Sequence, residues 1–153
     1  MPHGGRLGNI METNALITLT GRQSIDGEND QYELTTLGKY VKKGDKYYIS
    51  YEGSELTGYE GTTTTLKIKD GCISMIRFGK SSTQMVFEKE KKYVGYYDTP
   101  FGSLSVGVTT NSMTVDIDDD GGEIDLDYLV ELNDNLPVHN GLHLKIRKVG
   151  NQA

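Results

Sequence analysis

The feature that most constrains this fold is a repeated alternation of apolar and polar residues, interrupted at short intervals by turn-forming residues. Ala15, Ile17 and Leu19 share one face of the first such segment. Alternation with a period of two is typical of a half-buried β-strand, whereas an amphipathic helix repeats every three to four residues. Pairs such as Asp70-Gly71 separate the segments and favour tight hairpins. The pattern predicts about ten or eleven short antiparallel strands and almost no helix.

The connections between these segments indicate how the strands are arranged. Most of them are short turns, and the longest apparent connection, residues 52–61, is itself hairpin-like. A meander of this kind favours an up-and-down barrel, because a Greek-key sandwich needs at least one long connection. Closure also removes exposed sheet edges. We therefore predict an all-β protein: one closed antiparallel up-and-down β-barrel of about eight to ten strands over residues 14–149, with flexible tails at residues 1–13 and 150–153.

Two expectations concern the last third of the chain. Thr110 and Asn111 are expected to end one strand, so that a separate strand begins near Met113. In the final strand, we expect Arg147 to lie beside Asp127, where opposite charges on neighbouring strands attract.

An acidic stretch at residues 116–127 is the sharpest motif match. DIDDDG followed by Asp127 nearly fits the calcium loop of an EF-hand, with Asp in place of Glu at the last position. Its flanks alternate with a period of two, whereas an EF-hand requires helices on both sides. A hairpin with a solvated charged face is therefore expected, and adventitious Ca²⁺ binding is the alternative. A turn at Asp120-Gly121 would place Asp116 opposite Asp125.

Charge and cysteine content exclude several classes of protein. Lys and Arg number 16 and Asp and Glu 22, for a net charge of −6, so nucleic acid is not an expected partner. No run approaches the ~18 apolar residues of a membrane-spanning helix, and the first residues lack the apolar segment of a secretory signal. Cys72 is the only cysteine, so a reducing compartment is the default. We expect a cytoplasmic protein with neither a nucleic-acid nor a membrane partner.

Signals for an enzyme are weak. His139 and His143 have the spacing of a helical ligand pair, but on a strand they would be ~13 Å apart, too far to share a metal. No nucleophile elbow, phosphate-binding loop or dinucleotide motif follows a predicted strand. We expect no metal and no cofactor. A small hydrolase using interior carboxylates ranks last, because Glu52 and Glu55 are three positions apart on an extended segment and face opposite sides.

Polar residues at the ends of the third and fifth predicted strands form a candidate ligand site. YEGSE at residues 51–55 ends the third strand, and IRFG at residues 76–79 ends the fifth. Opposite charges on these segments could meet inside the barrel and hold the polar head of a small amphipathic ligand, while aromatic rings supply contact area. A structural salt bridge or outward-facing charges are the alternative. The predicted ligand-binding residues are Tyr51, Glu52, Glu55, Arg77, Phe78 and Tyr97.

A barrel packed solid would instead act through its outer surface. Val86, Val94 and Leu129 fall on strand faces that ought to be polar. They predict a contiguous outer apolar patch of several hundred Å² that contacts a protein partner or a second copy of the chain. An interaction protein, including a homodimer, is therefore the second hypothesis.

The order and spacing of several segments resemble a known family. ITLTGRQSIDGENDQYELTTLGKYVKKGDKYYISYEGSE, ISMIRFGKSSTQMVFE, YYDTPFGSLSVGVTTNSM and GEIDLDYLVEL are similar to segments of the YwiB-like family of uncharacterised bacterial β-barrel proteins, over about residues 15–148. The resemblance implies a calycin-like barrel, the architecture of lipocalins and fatty-acid-binding proteins, in a small cytoplasmic bacterial protein. It implies no activity, substrate or catalytic residue. The chain lacks Trp, and with it the G-x-W signature of secreted lipocalins.

Overall fold

The computed structural model describes residues 12–53, 61–79, 82–133 and 135–149. Every neighbouring pair of strands in these ranges is antiparallel, and the first strand also pairs with the last, so the sheet closes into a barrel. The ten strands are β1 (Ala15–Ile25), β2 (Glu28–Lys43), β3 (Lys46–Glu52), β4 (Thr63–Lys69), β5 (Cys72–Phe78), β6 (Ser82–Glu88), β7 (Lys92–Thr99), β8 (Gly102–Asp118), β9 (Gly121–Leu132) and β10 (Val138–Lys148). The predicted closed up-and-down barrel is confirmed. No helix in the described ranges is long and apolar enough to cross a membrane.

Turn chemistry explains how the chain reverses between strands. Asp26 and Gly27 have φ angles of 50° and 80°, and Asp70 and Gly71 have φ angles of 46° and 75°. Positive φ at both central residues is the geometry of a type I′ turn, whose twist matches that of the flanking strands. Asp-Gly adopts this geometry at low cost because glycine has no Cβ and aspartate tolerates the left-handed region.

The alternation places the apolar side chains inside the barrel. Ala15, Ile17 and Leu19 of β1 are 0–3% exposed, and Leu144 of β10, which pairs with Leu19, is fully buried. Each buried aliphatic side chain of this size stabilises the fold by about 1.5–3 kcal/mol relative to leaving it in water. The inward faces of the other strands continue this core around the barrel.

Aromatic residues close one end of the barrel, termed here the closed end. The rings of Tyr40 and Tyr47 stack with centroids 5.4 Å apart. The Tyr40 hydroxyl donates a hydrogen bond to the carbonyl oxygen of Asp118, and the Tyr47 hydroxyl donates one to the carboxylate of Asp119 at 2.9 Å. The tip of the β8–β9 hairpin is thereby fixed against β2 and β3.

Strand β8 corrects one expectation: Thr110 and Asn111 do not end a strand. The pairing of β8 with β9 shifts by one position between residues 110 and 112 and then continues. This β-bulge inserts one extra residue, so the inward positions change from even numbers, as at Val108, to odd numbers, as at Met113. The change of phase looked like a strand end because alternation alone does not distinguish a bulge from a turn.

Pairing in the acidic hairpin differs from the expected register. Asp119 and Asp120 form the turn, and Asp116 therefore faces Glu123 rather than Asp125. The two glycines that follow the turn belong to β9, where they adopt φ angles of 129° and 143°. Glycine reaches these angles without strain, so the turn forms one residue earlier than its Asp-Gly pair suggested.

The last strand is also displaced from its expected register. Arg147 lies opposite Gly121 and not beside Asp127, because β10 begins at Val138 after a loop that is shorter than expected. Loop length sets the register of a hairpin, and the alternation of apolar residues does not specify it.

The pairing of β6 with β7 is much shorter than that of the other strands. Only two residue pairs join these strands, at the start of β6 and the end of β7, whereas eight pairs join β7 to β8. Residues 84–88 and 92–96 run beside each other without paired positions. This stretch is termed the β6–β7 seam.

Candidate functional site

The end of the barrel opposite the closed end is hollow. A cavity of about 460 Å³ opens there, termed the mouth cavity. Its size lies within the range of about 300–1,000 Å³ that is usual for small-molecule sites. The side chains that give it its character are Tyr32, Arg77, Met85, Tyr128, Val130 and Val138. The lining also includes polar side chains, those of Arg22, Gln23, Asp30, Asn135 and Asn140, so the cavity combines apolar and aromatic contacts with two guanidinium groups and one carboxylate.

Arg77 is held on the inner wall by a row of cross-strand neighbours. It pairs with Thr64 of β4 and Thr83 of β6, and Thr64 pairs in turn with Tyr51 of β3. Tyr51 is 4% exposed, and its hydroxyl is hydrogen-bonded to Arg77 and Thr64. Burial raises the pKa of Tyr51, and the positive charge of Arg77 opposes that rise. The tyrosine therefore stays protonated and fixes the guanidinium in place.

The structure corrects the expected orientation of two candidate residues. Tyr51 and Arg77 face inward, so their neighbours Glu52 and Phe78 face outward. Glu52 is exposed, and Phe78 is 62% exposed. The expected meeting of Glu52 with Arg77 inside the barrel therefore does not occur, and Phe78 supplies no contact area there.

The remaining two candidates have different outcomes. Tyr97 faces inward, packs against the core and pairs with Thr83, but it does not line the mouth cavity. Glu55 lies outside the described residues. Of the six predicted residues, the structure brings Tyr51 and Arg77 together and places Tyr97 on the same side of the sheet.

An aromatic pair lies where the filled and hollow parts of the barrel meet. Tyr128 lines the mouth cavity, and its ring packs edge-to-face on that of the fully buried Phe87, with centroids 4.8 Å apart and planes at 70°. Tyr128, a tyrosine that the sequence allowed to line or fill a cavity, was not among the six predicted ligand-binding residues, and neither were Tyr32, Met85 and Val130. All four fall on the inward phase of their strands, so the signal was present, but alternation does not reveal which end of a barrel is filled.

A glycine makes room for one ring of the mouth cavity. Gly21 lies opposite Tyr32 in the β1–β2 ladder. A Cβ atom at position 21 would lie 2.3 Å from the Cζ atom of that ring, well inside van der Waals contact. The absence of a side chain therefore lets the ring of Tyr32 lie across the inner wall.

Both histidines of the last strand face outward and contact carboxylates. The Nε2 atom of His139 lies 2.6 Å from Asp127, and His143 lies 3.0 Å from both Glu123 and Asp125. In the described ranges no group of three or more His, Cys, Asp or Glu residues is arranged to hold a metal ion. These residues form a solvated, charged outer face.

The outer surface beside the β6–β7 seam is apolar. Phe78, Val94 and Tyr96 are 62%, 63% and 66% exposed. Together with Val86 they line a groove of about 480 Å³ that follows the seam, termed the seam groove. Leu129 does not line this groove and is half-buried.

Comparisons with known proteins agree with this architecture. A family model described as "Domain of unknown function (DUF1934)" matches residues 17–144. The chain is similar to the "Uncharacterized beta-barrel protein YwiB" of Bacillus subtilis (strain 168), at 28% identity over 126 residues, which cover 81% of this chain and 87% of that protein. The fold of the present chain is similar to the crystal structure of the ywiB protein from Bacillus subtilis. The TM-score is 0.79 and the identity 22%, and the match covers 94% of this chain and 99% of that chain. The resemblance seen in the sequence is confirmed, and the chain belongs to the DUF1934 family.

Proposed function

We propose that the barrel binds a small amphipathic ligand in the mouth cavity and acts without catalysing a reaction on it. The observation that supports this proposal is the placement of Arg77 beside Tyr32, Met85, Tyr128 and Val130 in the wall of a cavity of about 460 Å³. Small-molecule sites share this combination of an apolar enclosure with a few fixed polar groups. The proposed location of this binding is the cytoplasm.

The polar end of the ligand is proposed to lie at Arg77. A guanidinium group presents a planar set of N–H donors that matches a carboxylate or phosphate group, and it remains charged at every physiological pH. The hydrogen bond that Arg77 donates to the hydroxyl oxygen of Tyr51 fixes its orientation from the protein side. The apolar part of the ligand would then contact Tyr32, Met85 and Tyr128.

The placement of carboxylates favours binding over hydrolysis. A glycoside hydrolase of the usual type needs two carboxyl groups that flank one substrate bond. Among the described residues that line the mouth cavity, the one carboxylate is that of Asp30. Glu52, which the hydrolase hypothesis requires, faces the outside of the barrel.

A second candidate function is contact with a protein partner or a second copy of the chain. It is favoured by the exposed side chains of Phe78, Val94 and Tyr96, which lie together beside the seam. Exposed apolar patches of this kind mark interaction sites in many proteins. Sedimentation velocity tests this candidate, which requires a dimer or a stable complex.

Native mass spectrometry tests the proposed function. Protein purified gently from a bacterial host is compared with its denatured mass, and we expect an excess mass of a few hundred daltons. Arg77→Met should reduce the occupancy of that ligand, whereas Arg147→Met, on the exposed outer face of β10, should not. A bare mass, together with no Arg77-dependent binding of the anionic dye 1-anilinonaphthalene-8-sulfonate, would contradict the proposal.

A further inference from the structure

We infer that the seam groove is the second half of the ligand site and holds the alkyl chain of an amphiphile whose carboxylate lies at Arg77. The inference rests on the proposed function and names the class of ligand: a single-chain alkyl carboxylate. Its first support is the barrel wall itself, which lacks ladder pairing along residues 84–88 and 92–96.

The seam groove is lined by residues from both faces of the barrel wall. Successive residues of a strand point to opposite sides of the sheet. The groove is lined by the outward-facing residues Val86, Val94 and Tyr96 and by the inward-facing residues Met85, Val106 and Val108. These side chains are apolar on both sides, which suits a chain of methylene groups.

The seam groove is adjacent to the mouth cavity. Arg77 and Met85 line both spaces, so a ligand group bound at Arg77 is next to either. The interior carboxylate position and the apolar groove are therefore two parts of one site.

The dimensions favour an alkyl chain over a peptide strand. A Cβ atom on Gly95 would lie 2.8 Å from the carbonyl oxygen of Gln84, so β6 and β7 remain close across the seam. An inserted strand would need a spacing of about 4.8 Å on each side. A seam of five residues is about 16 Å long, which suits a narrow, extended chain.

Calorimetric titration of the 153-residue chain with octanoate and dodecanoate tests this inference. A fully buried methylene raises affinity about fourfold, and we expect about twofold in a groove that is open on one side. Dodecanoate should therefore bind about sixteenfold more tightly than octanoate. Arg77→Met should weaken both carboxylates by about tenfold, since it removes the charge-assisted hydrogen bonds to the head group.

Variants of the groove separate the inference from the proposed function. Val94→Glu and Tyr96→Ser change exposed side chains, so they should fold normally and reduce the sixteenfold ratio to about fourfold or less. Leu37→Glu is the matched control, since Leu37 is 52% exposed on the outer face of β2, away from the seam. It should leave the ratio unchanged.

Three outcomes would overturn the inference. An unchanged ratio in both groove variants, with binding that still depends on Arg77, would refute the groove and leave the proposed function intact. If neither octanoate nor dodecanoate bound, the inference would also be refuted. Native mass spectrometry would then test the proposed function independently. A wild-type dimer that Val94→Glu converts to a monomer would show that a second copy covers the groove.

Discussion

The hydroxyl of Tyr40 donates a hydrogen bond of 2.5 Å to the backbone carbonyl oxygen of Asp118, across 78 positions of the chain. Tyr40 is 1% exposed, so this bond forms inside the closed end and connects β2 to the tip of the β8–β9 hairpin. The bond is partly buried, so removing its donor costs more free energy than at a fully exposed site, where water replaces the donor.

Removal of that hydroxyl should destabilise the barrel. Tyr40→Phe is expected to lower the free energy of unfolding by about 1–2 kcal/mol, measured by urea denaturation. Tyr47→Phe removes a neighbouring hydrogen bond that is exposed to solvent, and it should cost about 0.5 kcal/mol or less. Equal costs for the two substitutions would contradict the structural role assigned to Tyr40.

Stability should fall in alkaline solution. Burial raises the pKa of Tyr40 and of Tyr51 above the ordinary value of 10.0. Above about pH 10 the unfolded chain therefore releases protons that the folded barrel retains, and the free energy of unfolding decreases by up to about 1.4 kcal/mol per pH unit for each tyrosine. Below that pH both states are protonated and these two groups contribute no pH dependence.

Denaturation at roughly pH 8 to 11 measures this effect. Tyr40→Phe and Tyr51→Phe should each flatten the decline, because phenylalanine releases no proton. Tyr96→Phe, at an exposed position, is the control and should leave the slope as in the wild type. If neither Tyr40→Phe nor Tyr51→Phe changed the slope of the free energy of unfolding against pH, the alkaline decline could not be assigned to these two tyrosines.

Two buried threonines should respond in opposite ways to valine. The Thr110 side chain is fully buried, and its hydroxyl has no hydrogen-bond partner within the described part of the chain. Thr110→Val should therefore be neutral or stabilising by about 1 kcal/mol. Thr64 is 2% exposed and hydrogen-bonded to Tyr51, so Thr64→Val should cost about 1 kcal/mol. Thermal denaturation followed by circular dichroism measures both changes in stability. If both substitutions destabilised the protein to a similar extent, the difference assigned to the two threonines would be contradicted.

Gly21 and Tyr32 should behave as a coupled pair. Gly21→Ala should displace the ring of Tyr32 from the inner wall, at a cost of about 1 kcal/mol, since the half-exposed ring can move outward. In a Tyr32→Ala background the same substitution should cost at least about 0.5 kcal/mol less. A double-mutant cycle in urea measures the coupling, and additive effects would show that the two side chains do not interfere.

Local rules in the sequence explain much of the fold. The alternation at Ala15, Ile17 and Leu19 and the turn at Asp70-Gly71 each depend on neighbouring residues, and each appears in the structure as predicted. The bulge after Thr110 and the register of β10 depend on contacts between strands. Those contacts are decided by loop length and packing, which alternation does not encode.

The sequence predicted only part of the candidate site, for a related reason. Arg77 and Tyr51 lie inside the barrel, but alternation itself excludes their direct neighbours Phe78 and Glu52 from the interior. The prediction placed both members of each pair inside the barrel, and the orientation of Phe78 and Glu52 contradicts this for the second member. The hollow end is a property of all ten strands together, so no local pattern reveals it.

The pairing of β1 with β10 makes the order of the strands cyclic. Ala15 lies opposite Lys148, and the backbone N–H of Val149 donates to the carbonyl oxygen of Asn14 at 3.0 Å. A short peptide link from residue 149 to residue 14, with the chain cut at the turn between β4 and β5, would keep every ladder of the barrel. The same architecture is therefore open to circular permutation, with new termini at a hairpin tip.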